Sequence, residues 1–167
     1  ALDRLAEGRL AAVLSGQQVG LLTGPLLTTV KALAAVKLAE DLSSAGTSLA
    51  PVFWCASEDH DLVEVTRVLL PGPDGAVEAG PDPEPLSRNH RPVGALPIDV
   101  DVAAIRGRAR EGAGALADEE SLEALGAAHA GATYREAFVA SLSWLLQEPS
   151  LLFADAARRE EKPVLVP

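Results

Sequence analysis

A chain of 167 residues is long enough to bury one substantial hydrophobic core. Its 14 Lys and Arg against 24 Asp and Glu leave a net charge of −10, which argues against nucleic acid and against an anionic membrane surface as partners. The single cysteine, Cys55, excludes an internal disulfide, and neither a basic signal-peptide start nor a run of about 18 apolar residues is present, so the expected location is cytoplasmic. The start "ALDRLAEGRL" without methionine and the ending "KPVLVP", which reads as the beginning of a strand, lead us to expect a piece of a longer protein.

In chain order, "LAAVLSG" (10–16) is a short apolar run stopped by Ser-Gly and suits a strand buried on both faces. The adjacent amides Gln17 and Gln18 then stand between glycines, in a turn able to donate and accept hydrogen bonds. From Gly24 onward Leu26, Leu27, Val30, Leu33, Ala34 and Leu38 recur at helical spacing, Pro25 suits the first helical position, and Gly46 follows the end. A helix over about 24–44 is predicted, and its start offers free N–H groups to an anion. "APVFWCA" (50–56) is a second apolar, β-branched and aromatic run that breaks into "SEDHD". Strand, helix, strand makes a right-handed parallel βαβ unit, so "SGQQ" and "SEDHD" are expected at the same sheet edge.

The stretch 69–92 is dense in Pro, Gly and Asp and is read as an exposed excursion, over 71–92 in its most Pro/Gly-rich part, with Pro73-Asp74-Gly75 suited to a hairpin turn. "VGALPIDV" (93–100) reads as another strand, and Asp101–Arg110 and Asp118–Ala130 as helices. In "TYREAFVASLSWLLQE", Thr133 and Glu136 make a capping box, and Tyr134, Phe138, Leu142, Leu145 and Leu146 form one apolar face for the core. "SLLFADA" (150–156) reads as a third buried strand.

The chemistry concentrates in Glu58, Asp59, His60 and Asp61: three carboxyls and an imidazole just past a strand. Asp59 or Asp61 can orient a neutral His60 and tune it for general base work. The competing reading is a solvated loop in which Asp59 caps the next helix. His90 and His129 have no ligand partner at i+3 or i+4 and read as surface histidines. Neighbouring residues do not turn readily toward one ion, so no metal site is expected at His60. Cys55 lies between Trp54 and Ala56 in an apolar run and reads as core. Neither G-x-G-x-x-G nor a Walker A loop is present.

"SGQQVGLLTGPLLTTVKALAAVKLA" followed by "PVFWCASEDHDLVEV" resembles the bacillithiol biosynthesis cysteine-adding enzyme family, closely over residues 10 to about 70 and more loosely over 91–99 and 133–155. The resemblance implies an α/β fold. Residues 1–167 would form a single Rossmann-like, nucleotidyltransferase-like three-layer core with a parallel sheet, incomplete relative to the longer family members. It implies a ligase that makes an amide between cysteine and glucosaminyl-malate, with ATP and magnesium as the cofactors natural to this core and a homodimer formed through regions outside the chain. On this reading Gly16, Gln17, Gln18, Thr23, Gly24 and Glu58 bind substrate, and His60 with Asp59 and Asp61 is catalytic. The alternatives are another nucleotide-binding or nucleotidyl-transferring enzyme, which would consume ATP without cysteine, and a non-catalytic remnant that binds a carboxylate without turnover.

Overall fold

The structure is a computed structural model and describes residues 2–44, 48–72, 74–80, 91–114, 117–155 and 157. Gly46, Pro73, His90 and the closing "KPVLVP" lie outside the described residues, as does the 81–90 part of the expected excursion.

A short helix α1 (Leu2–Ala6) leads into β1 (Ala11–Gln18), a single 3₁₀ turn (Leu21–Thr23) and the long α2 (Leu26–Ser44). Then come β2 (Leu49–Ala56), α3 (Leu62–Thr66) and the strands β3 (Val68–Gly72) and β4 (Gly75–Ala79). A second 3₁₀ turn (Val93–Ala95) precedes α4 (Val102–Ala113), α5 (Glu119–His129), α6 (Tyr134–Leu146) and β5 (Leu152–Asp155). Three strands pair in parallel in the order β1-β2-β5, and β3 with β4 forms a separate antiparallel pair. This is the open parallel sheet expected of an incomplete Rossmann-like α/β core.

The signals behind these elements are local. Asp101, Asp118 and Thr133 cap α4, α5 and α6 by accepting the N–H three residues on, and the Thr133–Glu136 capping box is complete. β2 alternates, with Pro51, Phe53 and Cys55 buried and Val52, Trp54 and Ala56 half-buried. Phe53 lies 6.1 Å from the Phe138 ring of α6 and 6.3 Å from that of Phe153, centroid to centroid. Ala32 and Val36 of α2 and Leu142 of α6 join the same hydrophobic cluster.

Several expectations are corrected. β1 runs to Gln18, so both glutamines belong to a strand and not to a turn. It is an edge strand with Leu14 62% exposed, where a strand buried on both faces was expected. Residues 93–100 form no strand: Pro97 makes one isolated bridge to Thr133, because Pro92 and Pro97 each withhold a ladder N–H. By contrast, the hairpin expected around Asp74 and Gly75 is present, joining β3 to β4 with Gly72 opposite Gly75. Finally, α2 packs on the sheet through small residues, Thr28, Ala32, Ala35, Val36 and Ala39. The leucines and valine that mark the helix by their spacing, Leu26, Leu27, Val30, Leu33 and Leu38, lie on its exposed side. None of the described helices is long and apolar enough to cross a membrane.

Candidate functional site

The register from Ala11 opposite Leu49 to Gln18 opposite Ala56, and from Val52 opposite Leu152 to Cys55 opposite Asp155, brings three carboxyl ends to one edge. Ligands of open α/β sheets sit at that edge. Gln18 and the acidic run meet there: Gln18 Nε2 donates to Asp59 Oδ2 at 2.5 Å. A carboxylate can only accept, so the amide nitrogen must face it. The other Asp59 oxygen, Oδ1, accepts the N–H of His60 at 2.6 Å and of Asp61 at 3.2 Å. The Gln18 amide first, then these N–H groups and the His60 charge, hold the Asp59 carboxyl below its ordinary value of 3.8, against the opposing effect of burial.

The helix cap falls to the other aspartate. Asp61 Oδ1 accepts the Glu64 N–H at 3.3 Å and starts α3, correcting the alternative in which Asp59 did so. Both aspartates are thus engaged with backbone, and among the described residues no hydrogen bond ties either to the His60 ring, which is exposed. Glu58 is exposed as well. Cys55 is fully buried in β2, in line with its core reading.

Gln17 is held from the opposite side. Lys31 Nζ on α2 donates to Gln17 Oε1 at 2.7 Å and to the Gly16 carbonyl at 3.3 Å. A lysine can only donate, so it takes the amide oxygen and leaves the Gln17 Nε2 hydrogens for another acceptor. A cavity of about 630 Å³ on the sheet is lined by Leu14, Gly16, Gln17, Gln18, Trp54 and Ala56. Gly16 admits no side chain there, since a Cβ would stand 2.6 Å from the Trp54 carbonyl oxygen. The start of α2 opens instead into a separate cavity of about 480 Å³ bordered by Gly24, Pro25, Leu26, Glu64 and Arg67. The glutamines and the helix start therefore line different hollows, and the acidic run reaches the first through Gln18.

Between them lies a tight turn. Leu22 and Thr23 have φ of 50° and 73°, and Gly24 has φ of 72°. A β-branched residue at positive φ is strained. The turn closes on itself, for a Cβ on Gly20 would lie 2.8 Å from the Gly24 Cα. Thr23 is buried and is among the lining residues of neither cavity. Gly20→Ala is accordingly expected to destabilise the fold by about 1–3 kcal/mol, as an overpacked site does, read from the urea midpoint. An unchanged midpoint would show that the turn opens at no cost.

His129, read from sequence as a surface residue, is 1% exposed. Its Nε2 accepts the Leu22 N–H at 3.1 Å, and its Nδ1 lies 2.7 Å from the Leu125 carbonyl oxygen. The carbonyl needs a donor and the amide an acceptor, which assigns the neutral Nδ1–H tautomer. Burial lowers its pKa from 6.5, with the Leu125 contact opposing. The unfolded chain therefore binds a proton below about pH 6.5 that the folded chain refuses. Stability from this group is complete above 6.5 and declines as pH falls toward the lowered folded value. Urea midpoints from pH 7.5 down should fall in the native protein, and that part of the slope should vanish in His129→Gln; identical slopes would refute the linkage.

The whole chain, residues 1–167, matches the family model described as "Bacillithiol biosynthesis BshC, N-terminal Rossmann-like domain". The chain belongs to this family. Relatives named "Putative cysteine ligase BshC" include one from Koribacter versatilis, 56% identical over 77 residues, covering 46% of this chain and 14% of the relative. One from Solibacter usitatus is 57% identical over 70 residues, 42% of this chain and 13% of its own. One from Heliobacterium modesticaldum is 43% identical over 104 residues, 59% and 18% respectively. The chain thus matches less than a fifth of the length of these curated relatives.

Sequence reading of this Rossmann-like domain missed the groups that fix its acidic loop. The Ser57 hydroxyl donates to the buried Asp155 carboxylate, which Arg135 meets at 3.3 Å. The Gly94 N–H donates to the Ser57 carbonyl at 2.9 Å and the Val93 N–H to the Asp59 carbonyl at 2.8 Å. "RPVGA" is thus the buttress of residues 57–59. Lys31 and His129 carried no signal beyond being polar residues in apolar helices.

Proposed function

We propose that the polypeptide carrying this chain is a carbon–nitrogen ligase of bacillithiol biosynthesis, forming the amide between cysteine and glucosaminyl-malate. The observation that carries this reading is the match of all 167 residues to the BshC N-terminal domain. The Gln18–Asp59 link supports it by joining the two motifs at a ligand-binding edge.

Amide formation needs a neutral amine and an activated carboxyl. His60, exposed beside Asp59 and Asp61, takes the proton from the substrate ammonium onto its ring nitrogen. The freed lone pair then attacks the activated carboxyl carbon, and as the C–N bond forms the C–O bond to the activating group breaks, that group leaving with the electron pair. Gln17, with Lys31 behind it, presents Nε2 hydrogens to a substrate carboxylate, and Gly16, lacking a Cβ, lets Trp54 pack closely beside it in the cavity wall. Holding the reactants together supplies the larger share of the acceleration.

ATP and magnesium belong to this proposal through the family resemblance alone. Asp59 and Asp61 are engaged with backbone, no group of three or more His, Cys, Asp or Glu is placed for an ion among the described residues, and the sequence has no Walker A loop. None of the described residues is therefore assigned to holding these cofactors, and carboxyl activation is assigned to none of them.

The test is mass spectrometry of the complete polypeptide with cysteine, glucosaminyl-malate and ATP. A product with the summed mass of the two substrates less water is expected. ATP consumption without cysteine incorporation would replace the ligase with another nucleotide enzyme, and binding without turnover would leave a carboxylate-binding module.

A further inference from the structure

We infer that His129 is a positioning residue for the ligand-binding edge: its Nε2 holds the strained 20–24 turn that sets the end of β1 against the start of α2. As a role in catalysis this rests on the ligase reading above; as a role in shaping the turn it stands alone.

Three observations converge. The turn carries consecutive positive φ values at Leu22, Thr23 and Gly24, which persist only where the surroundings over-determine them. Its apex N–H is paired with a side chain 107 residues away in sequence, at the last residue of α5. That side chain is buried and held in the accepting tautomer from its other nitrogen by Leu125. Ordinary core packing does not require this arrangement, since a leucine of similar size would fill the space but leave the Leu22 N–H without an acceptor.

The turn matters because both of its ends carry site groups. Upstream, the Gly20 N–H closes onto the Gln18 carbonyl at 3.1 Å, and the Gln18 side chain holds Asp59. Downstream, α2 begins at Leu26 and carries Lys31, which fixes Gln17. Relaxation at Leu22 shifts β1 relative to α2 and so disturbs both glutamines together. The turn's hydrogen-bonded path to His60 runs through Gln18 and then Asp59, a step beyond the glutamines themselves, so substrate holding is affected more than proton transfer.

The test compares two amides. In His129→Gln the side-chain oxygen reaches the Nε2 position and still accepts from Leu22; in His129→Asn the shorter amide reaches only the Nδ1 position and keeps the Leu125 contact alone. In the complete polypeptide, Asn is expected to raise KM about tenfold or more with a smaller change in kcat, and to raise amide exchange at residues 21–24 by a similar factor, while Gln restores both. Equal kinetics and exchange in the two variants would overturn the inference. If neither variant folds, amide exchange of the native protein decides: a Leu22 N–H exchanging as fast as an exposed amide refutes the clamp. A native polypeptide that makes no amide product removes the ligase reading, whereas the exchange result still judges the turn.

Discussion

His60→Asn in the complete polypeptide is expected to lower amide-forming turnover by about 10²–10⁴-fold, the usual contribution of a positioned general base, with the melting temperature nearly unchanged. The structure separates these two effects. What His60 contributes to the fold is backbone: its N–H donates to Asp59 Oδ1 and its carbonyl accepts the Leu62 N–H at 3.0 Å. Asparagine keeps both. The ring is exposed beside two carboxylates and takes part in no described core contact, so its loss is chemical. Turnover should be followed across pH, because removing a base abolishes the rise in rate on its limb, whereas a distorted site lowers the whole profile. Full activity at every pH would exclude His60 as the base, and an unfolded variant would show that the ring serves the fold.

The βαβ unit and the meeting of its two motifs were legible because two short apolar runs with sharp breaks flanked a segment of helical spacing and the crossover rule has a fixed hand. That "SGQQ" and "SEDHD" share an edge follows from that rule once the strands are neighbours; that Gln18 and Asp59 are the residues that pair does not. The packing of α2 was not legible. Apolar residues occupy both its sides, and spacing alone does not say that Ala32, Ala35 and Ala39 meet the sheet while Leu26 and Val30 do not. Small residues let the helix approach closely, a property of the contact and not of hydrophobicity. His129 was misread for a related reason: its burial depends on a turn more than 100 residues earlier, and nothing near it in sequence records that contact. The 93–100 stretch misled in the opposite way, since its apolar run resembles a strand while Pro97 within it and Pro92 just before it deny it a ladder.

Asp59 and Asp61 look interchangeable in "SEDHD", and the structure gives them unequal tasks. Asp61 caps a five-residue helix, so Asp61→Ala is expected to cost about 1 kcal/mol, the ordinary value of a lost cap. Asp59 accepts from the Gln18 side chain and from two backbone N–H groups, tying the end of β1 to the loop that carries His60. Asp59→Ala is expected to cost about 2–3 kcal/mol, since hydrogen bonds to a charged group are the stronger ones. By releasing Gln18 and the loop together it should also lower turnover on the order of 10²-fold, the effect of a misplacement of about 1 Å. The pH dependence identifies the cause. A folded carboxyl held below 3.8 contributes stability that is fully present above that pH and is lost as pH falls through the lowered value. Acid titration of the urea midpoint should therefore show a component in the native protein and in Asp61→Ala that is missing from Asp59→Ala. If the two alanine variants have the same stability, turnover and acid limb, the Gln18–Asp59 link is not what joins the motifs, and the proposed site loses its geometric basis.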